Sequence, residues 1–368
     1  MFSLKLFYNK RTITKAILPN NTKEIGQDAF RYCTRMKEVQ LPESLTKIGN
    51  TAFFESGLDS ISIPVGVTEI GNSAFDDCYN LKFVSIPNGV TRLEERTFSS
   101  CQSLESIDWS DNMTYIGYYA FEGCTALTLL ALPNSVTEIN GYAFENCSSL
   151  ESVVLPQNLK NIGYYAFSNC QSLQSVDIPK GVVTIDEWAF QNCNQLKTVN
   201  IFGATTINAN AFAYCSNLKE VTLPYTLSKC GDYIFRDCNR LESVTCEALF
   251  PPTVEIIAPN DNCVLYAPEW TVDKYKLAAG WSGFRTIETI SGIYPMAISI
   301  YDEQSLSIPN DGLPETYKPY LHMVSQSTDF WNQKSGKLTV RGNRPFSLST
   351  FEMQQTRDVN TMTTLLNK

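Results

Sequence analysis

Residues 81–101 read LKFVSIPNGVTRLEERTFSSC, and this stretch decides the fold. Val84 and Ile86 alternate with Phe83 and Ser85, the period of two of a strand with one buried face. Pro87 cannot donate to a strand ladder, so it ends that element. Val90 and Leu93 follow as apolar points of a turn and a second short extended piece. The closing segment, Thr97-Phe98-x-x-Cys101, fits a single turn of α- or 3₁₀-helix with Phe98 and Cys101 on one side.

The same frame returns along the chain. Phe recurs at 30, 53, 75, 98, 121, 144, 167, 190, 212 and 235; seven of the nine intervals are 23 residues and two are 22. Ala usually precedes it, and Cys follows three residues later at 33, 78, 101, 124, 147, 170, 193, 215 and 238. Ser56 takes the Cys position in the second repeat. Gly often follows the Ile of the second extended piece, where a tight turn with positive φ is expected. Self-similarity at this period marks a solenoid, in which no unit buries its apolar face without its neighbours. The expected fold class is therefore an α/β solenoid: one parallel β-strand per repeat of 22–23 residues, with a short strand and a 3₁₀ or helical turn opposite. Stacked Phe side chains form its spine, and ten repeats at about 4.8 Å each span roughly 50 Å.

These residues carry a resemblance. The frame Leu-x-x-Val-x-Ile-Pro-x-x-Val-x-x-Ile-Gly-x-x-Ala-Phe-x-x-Cys resembles the leucine-rich repeats of the BspA-like family across about residues 12 to 246. Residues 248–290, with Phe250, Pro251, Pro252, Tyr266, Trp281 and Phe284, are similar to the segment that closes such arrays in Bacteroidetes-type surface proteins. The resemblance implies a right-handed superhelix. It also implies a secreted or cell-surface protein that binds other proteins, glycans, extracellular matrix or host cells, and no enzymatic activity.

The domain organisation expected is a repeat array over 1–246 with a partial N-terminal unit, a capping segment over 247–290, and a non-repeat tail over 291–368. In the cap, Thr271 is expected to N-cap a helix through Val272, Tyr275 and Leu277, and Gly280 to terminate it. Trp281 and Phe284 would then cover the last repeat. The tail holds alternating runs at 296–301, 337–341 and 346–351, separated by turn signals at 309–312 and 335–336, as a small β-rich module would.

Ala16, Leu18, Pro19 and Ile25 already occupy repeat positions, and Phe7 lies 23 residues before Phe30. Either the first residues form a ragged capping unit, or an export signal and earlier repeats precede this chain; the second is the reading favoured. The N-terminus shows no apolar core of signal-peptide length, and no run of eighteen apolar residues marks a membrane span.

The net charge of −9, with acidic residues spread along the array, argues against nucleic acid, which needs Lys and Arg gathered on one face. Twelve Cys suggest a disulfide scaffold, yet nine share one repeat column. Stacking distance alone permits bonding up that column, but residues in register point the same way. Buried, reduced thiols acting as small hydrophobes are expected.

Catalytic chemistry finds little support. The single His, His322, lies outside the array and beside no nucleophile motif. Zinc-binding Cys pairs stand two to four residues apart, whereas these stand a full repeat apart, so no metal or other cofactor is expected. The carboxylate pairs Asp76-Asp77 and Glu94-Glu95 read as solvated turn residues.

Two departures from the frame are candidates for partner binding. On the presumed sheet face, most outward positions are Lys, Glu, Ser, Asp or Thr, but Phe83, Leu129, Ala131 and Val154 are apolar. Clustered exposed apolar residues mark contact sites, while scattered ones need no explanation. Two residues before the Phe, Tyr119, Tyr142, Tyr165 and Trp188 form a column in four successive repeats, with Tyr118 and Tyr164 beside it and Tyr233 later. Such rings grip peptide or sugar, or else pack on one another as a structural ladder; the ladder is the reading favoured. The functional expectation is a monomeric, non-enzymatic binding or adhesion protein. Its rivals are an enzyme with its site in the tail and a purely structural spacer.

Overall fold

The computed structural model describes residues 7–257 and 259–290, with the backbone of short strands at 299–300, 305–307, 331–332, 337–339 and 346–347. Parallel strands stack into a solenoid of about twelve coils. The main ladder runs from Lys15–Ile17 through Phe83–Ser85 and Leu129–Ala131 to Thr286–Thr289. A second ladder of two-residue strands runs from Glu24–Ile25 to Lys229–Cys230. Along the main strands alternate residues point inward, as at Val84, Leu130, Val176 and Ile178, while their neighbours face outward. Pro42 and Pro64 follow their strands and open turns in which the Pro carbonyl accepts the N–H of Leu45 and Val67, each at 3.0 Å.

The Ala-Phe-x-x-Cys segment differs from the helical turn expected. It is a pair of tight turns, because residues two before and two after each Phe have positive φ: Tyr142 at 60° and Asn146 at 61° around Phe144 are one such pair. The alternation of right- and left-handed residues turns N–H and C=O groups toward the neighbouring coils. Phe144 N–H then donates to Ala166 O at 2.8 Å, and Asn146 N–H to Ser168 O at 2.9 Å. A third hydrogen-bonded strip therefore climbs this side, which a helical turn would not provide. Nor do the glycines after Ile supply the positive φ; in the array only Gly123 has it among glycines. Gly117 is needed for proximity, since a Cβ there would lie 2.6 Å from Leu93 O in the coil below.

Inside, the Phe residues from Phe30 to Phe235 are fully buried, with Phe7 partly buried at the end of the stack. The rings lie within 12° of parallel up to Phe212 and at 25° for Phe212–Phe235. Centroid distances are 5.1 Å for Phe7–Phe30 and 5.4 Å for Phe121–Phe144, opening to 6.4 Å at Phe212–Phe235. All twelve cysteines are free and buried. The column thiols donate to the Phe carbonyl of the coil below, as Cys147 Sγ does to Phe121 O at 3.3 Å. Burial pushes the Cys147 thiol up to about 12.

The segment after the array continues the main ladder. Val264–Ala267 pairs with Ser243–Cys246, and Thr286–Thr289 pairs with Val264–Ala267. Tyr275 and Trp281 are fully buried over the last coil; Tyr275 Oη donates to Ala248 O at 2.8 Å and Trp281 Nε1 to Pro252 O at 2.7 Å. The helix spans Val272–Leu277. Thr271 does not cap it as expected: its hydroxyl donates backwards to Pro268 O at 2.8 Å. Ala278 is the C-cap, and Gly280 follows at φ 73° as the start of a 3₁₀ turn. Beyond it, Ser299–Ile300 pairs antiparallel with Phe346–Ser347, and Lys337–Thr339 lies between Ser305–Ser307 and Trp331–Asn332. The turn signals at 309–312 and 335–336 and His322 lie outside the described residues.

Candidate partner-binding face

The outward face of the main ladder is mostly a polar lattice held together coil by coil. Lys15 pairs with Glu38 at 2.7 Å, Lys37 with Asp59 at 2.9 Å, and Lys219 with Glu242 at 3.1 Å. Ser85 Oγ donates to Asp108 Oδ2 and Asn200 Nδ2 to Asp177 Oδ1, both at 2.8 Å. In register, a residue's neighbour one coil up is the natural partner, at about 4.8 Å spacing.

Leu129, Ala131 and Val154 interrupt this lattice. Leu129 is 58% exposed and Val154 57%, and Ala131 is exposed beside Val154, its partner in register. Phe83, at 39%, lies two coils below Leu129 with Ser106 between them. The structure thus brings Leu129, Ala131 and Val154 into one patch, with Phe83 at its lower margin. Leu129–Ala131 and Ser152–Val154 also form a two-stranded island: the ladder breaks below them, after Ser106–Asp108, and above them, before Ser175–Ile178. The lower break sits beside Trp109. Trp109 fills the inward slot that holds Ile86 and Leu132 in neighbouring coils, and its ring meets Phe121 edge-on at 5.4 Å. Sequence pattern flagged the apolar outward residues but not the break, whose only signal was Trp109 in an aliphatic slot.

The aromatic column lies on the turn side. Tyr119 stacks on Tyr142 at 4.5 Å, Tyr142 on Tyr165 at 5.2 Å, and Tyr165 on Trp188 at 5.8 Å, within 17° of parallel. Arg96 covers the remaining face of the first ring, its guanidinium 4.4 Å from the Tyr119 centroid. The ring faces that sugar stacking needs are therefore largely occupied by one another. Desolvation, with neighbouring tyrosines adding to it, pushes Tyr142 and Tyr165 up to about 12.

Beside the Phe spine runs a column that holds carboxylates at Asp76, Glu122 and Glu145, of which only Asp76 was read from the sequence, as a solvated turn residue. Asp76 is in fact buried, 6% exposed, and accepts from Ser73 Oγ at 3.1 Å. Desolvation, reinforced by Asp77, pushes it up to about 6. Desolvation also pushes Glu145 up to about 7, with Glu122 one coil below adding repulsion.

No group of three metal-ligating side chains occurs among the described residues. A cleft of about 500 Å³ beside Tyr233 and Asn260, and one of about 570 Å³ beside Asp232 and Glu255, contain no histidine. The Cys238 and Cys230 thiols on their walls are raised by desolvation, the opposite of an activated nucleophile. Among the described residues no helix is long and apolar enough to cross a membrane.

A family model described as a BspA type leucine rich repeat region matches residues 2–128, 114–242 and 202–254, in six copies. The chain belongs to the BspA-type leucine-rich repeat family. Among solved structures, this BspA-type chain is similar to a leucine-rich repeat protein from Bacteroides ovatus. The two are 24% identical over 77% of this chain and 85% of the other, with a TM-score of 0.51, a likeness of fold. A leucine rich cell surface protein from Faecalibacterium prausnitzii is 27% identical over 59% of this chain and 61% of its own, with a TM-score of 0.41. A leucine-rich repeat protein of T. pallidum is 30% identical over 50% and 78%, with a TM-score of 0.38. No relative among the curated proteins matches the chain.

Proposed function

We propose that this BspA-type solenoid is a non-enzymatic binding or adhesion protein, secreted or displayed at a cell surface, that engages a protein or glycan on the outward face of its main ladder. One observation carries the choice of face: Leu129, Ala131 and Val154 are exposed, contiguous and confined to the island where the polar lattice is interrupted. Exposed apolar clusters on an otherwise polar surface mark interaction sites. The aromatic column is the lesser candidate, because its rings cover each other. The family supports the location and the absence of catalysis. The test is a binding panel of extracellular-matrix proteins, glycans and cell surfaces against the wild-type chain and a Leu129→Ser/Val154→Ser variant. Partner binding lost with that variant supports the face; a partner retained at full affinity removes it.

A further inference from the structure

The charges around the patch say what kind of segment it takes. Residues 105–108, 128–131, 151–154 and 174–177 present Glu105, Asp108, Glu151 and Asp177 outward, all exposed, and include no Lys or Arg. Elsewhere on this face several carboxylates are matched across coils, as Glu38, Asp59 and Glu242 are by Lys15, Lys37 and Lys219, while Glu220 and Glu288 form no ion pair among the described residues. Among the described residues the four around the patch form no salt bridge; the Asp108 and Asp177 carboxylates accept from Ser85 and Asn200. The nearest cations in the flanking coils are Lys82 below and Lys180 and Lys197 above. The centre of the ladder is therefore an apolar window with an anionic frame.

The frame has a spacing. Asp108, Ala131, Val154 and Asp177 occupy one outward column in successive coils, so the two carboxylates stand three coil spacings apart, roughly 14 Å. An extended segment laid along the stack covers about 3.3 Å per residue with alternate side chains facing the sheet, so it spans that distance in about four residues. The first and fifth side chains then meet the carboxylates, and the third sits over Ala131 and Val154.

We infer that the partner is a protein segment in extended conformation carrying two cations four residues apart around an aliphatic residue, of the form Lys-x-Leu-x-Lys, seated along the Asp108–Asp177 column. This inference rests on the sheet-face reading and adds the chemistry of what binds there. Charge complementarity selects the segment and apolar contact anchors it, while Glu105 and Glu151, just before the Ser106–Asp108 and Ser152–Val154 strands, add to the same potential.

The probe is a fluorescent nonapeptide, Lys-Ser-Leu-Ser-Lys-Ser-Leu-Ser-Lys. It is titrated by anisotropy at low salt against the full chain and compared with the Glu-for-Lys peptide and a Lys-block isomer of equal composition. The inference expects the alternating Lys peptide to bind at least about tenfold more tightly than either control. It expects Asp108→Asn/Asp177→Asn to weaken that binding about fivefold, the scale of two exposed ion pairs, and rising salt to weaken it further. These exposed substitutions should leave the far-UV spectrum and melting profile unchanged. Equal binding of alternating and blocked peptides overturns the inference, and so does indifference to the Asp substitutions. If those results coincide with a panel partner lost through Leu129→Ser/Val154→Ser, the sheet-face function stands and only the partner chemistry falls.

Discussion

Phe144 is the most informative residue to remove. Its ring is fully buried and stacks on Phe121 at 5.4 Å and on Phe167 at 5.3 Å. Its carbonyl accepts the Cys170 thiol at 3.4 Å, and its N–H donates to Ala166 O at 2.8 Å. Phe144→Ala deletes the ring between neighbours held in place by three ladders, so collapse into the space is limited. A buried Phe→Ala change costs about 3–5 kcal/mol, and loss of two aromatic contacts places this one in the upper half of that range. Because each coil couples chiefly to its neighbours, the loss is local, and a single global unfolding free energy is the wrong quantity to measure. Hydrogen exchange followed by mass spectrometry resolves it coil by coil. A loss of about 4 kcal/mol corresponds to a roughly thousandfold faster exchange for amides of the coils holding Phe121, Phe144 and Phe167, with coils near Phe30 close to wild type. A loss under about 1 kcal/mol, or equal acceleration from Phe30 to Phe235, would refute the reasoning that the stacked rings hold the coils.

Four further outcomes follow from the same geometry. All twelve thiols are buried, so iodoacetamide at pH 8 should modify none in the native chain and all twelve in denaturant. Glu145 is raised from 4.5 to about 7, so the folded state holds a proton that the unfolded state has released. Its contribution is complete below pH 4.5 and is lost as pH rises to 7. Glu145→Gln should therefore flatten stability between those values and add about 1 kcal/mol at pH 8, a figure reduced for solvent screening and read by urea denaturation. Tyr142→Ser removes two ring stacks and should lower the local exchange protection of its coil while leaving panel binding unchanged; weakened binding with intact protection would move the site to the aromatic column. Leu129→Ser/Val154→Ser, by contrast, should leave the melting temperature within about 1 °C, because exposed substitutions away from special features change stability little.

Most of the architecture was legible because the Phe and Cys positions repeat with the coil, and alternation at Val84 and Ile86 fixes which side chains point inward. The array's continuation through Val264–Ala267 and Thr286–Thr289 was less visible, since those coils lack the Phe and the second ladder. The turns around each Phe were hidden for a different reason. The left-handed positions two before each Phe hold Asp, Thr, Ser, Arg, Tyr, Trp and Asn, with no common residue type to mark them, and hydrogen bonding between coils holds bulky residues in that conformation. Burial of Asp76 escaped notice because an acidic pair in a turn ordinarily faces water; here the turn folds over the spine. Leu129, Ala131 and Val154 could be named from the pattern, but their place between two ladder breaks is a matter of pairing between coils. Local sequence does not encode that.

The most direct test of the functional claim is the affinity of a panel partner for three full-length chains: wild type, Leu129→Ser/Val154→Ser, and a Val183→Ser/Phe202→Ser control altered at exposed apolar residues away from the patch. The account predicts at least a tenfold loss with the first variant and none with the control. A partner bound equally by both variants and the wild type would contradict it.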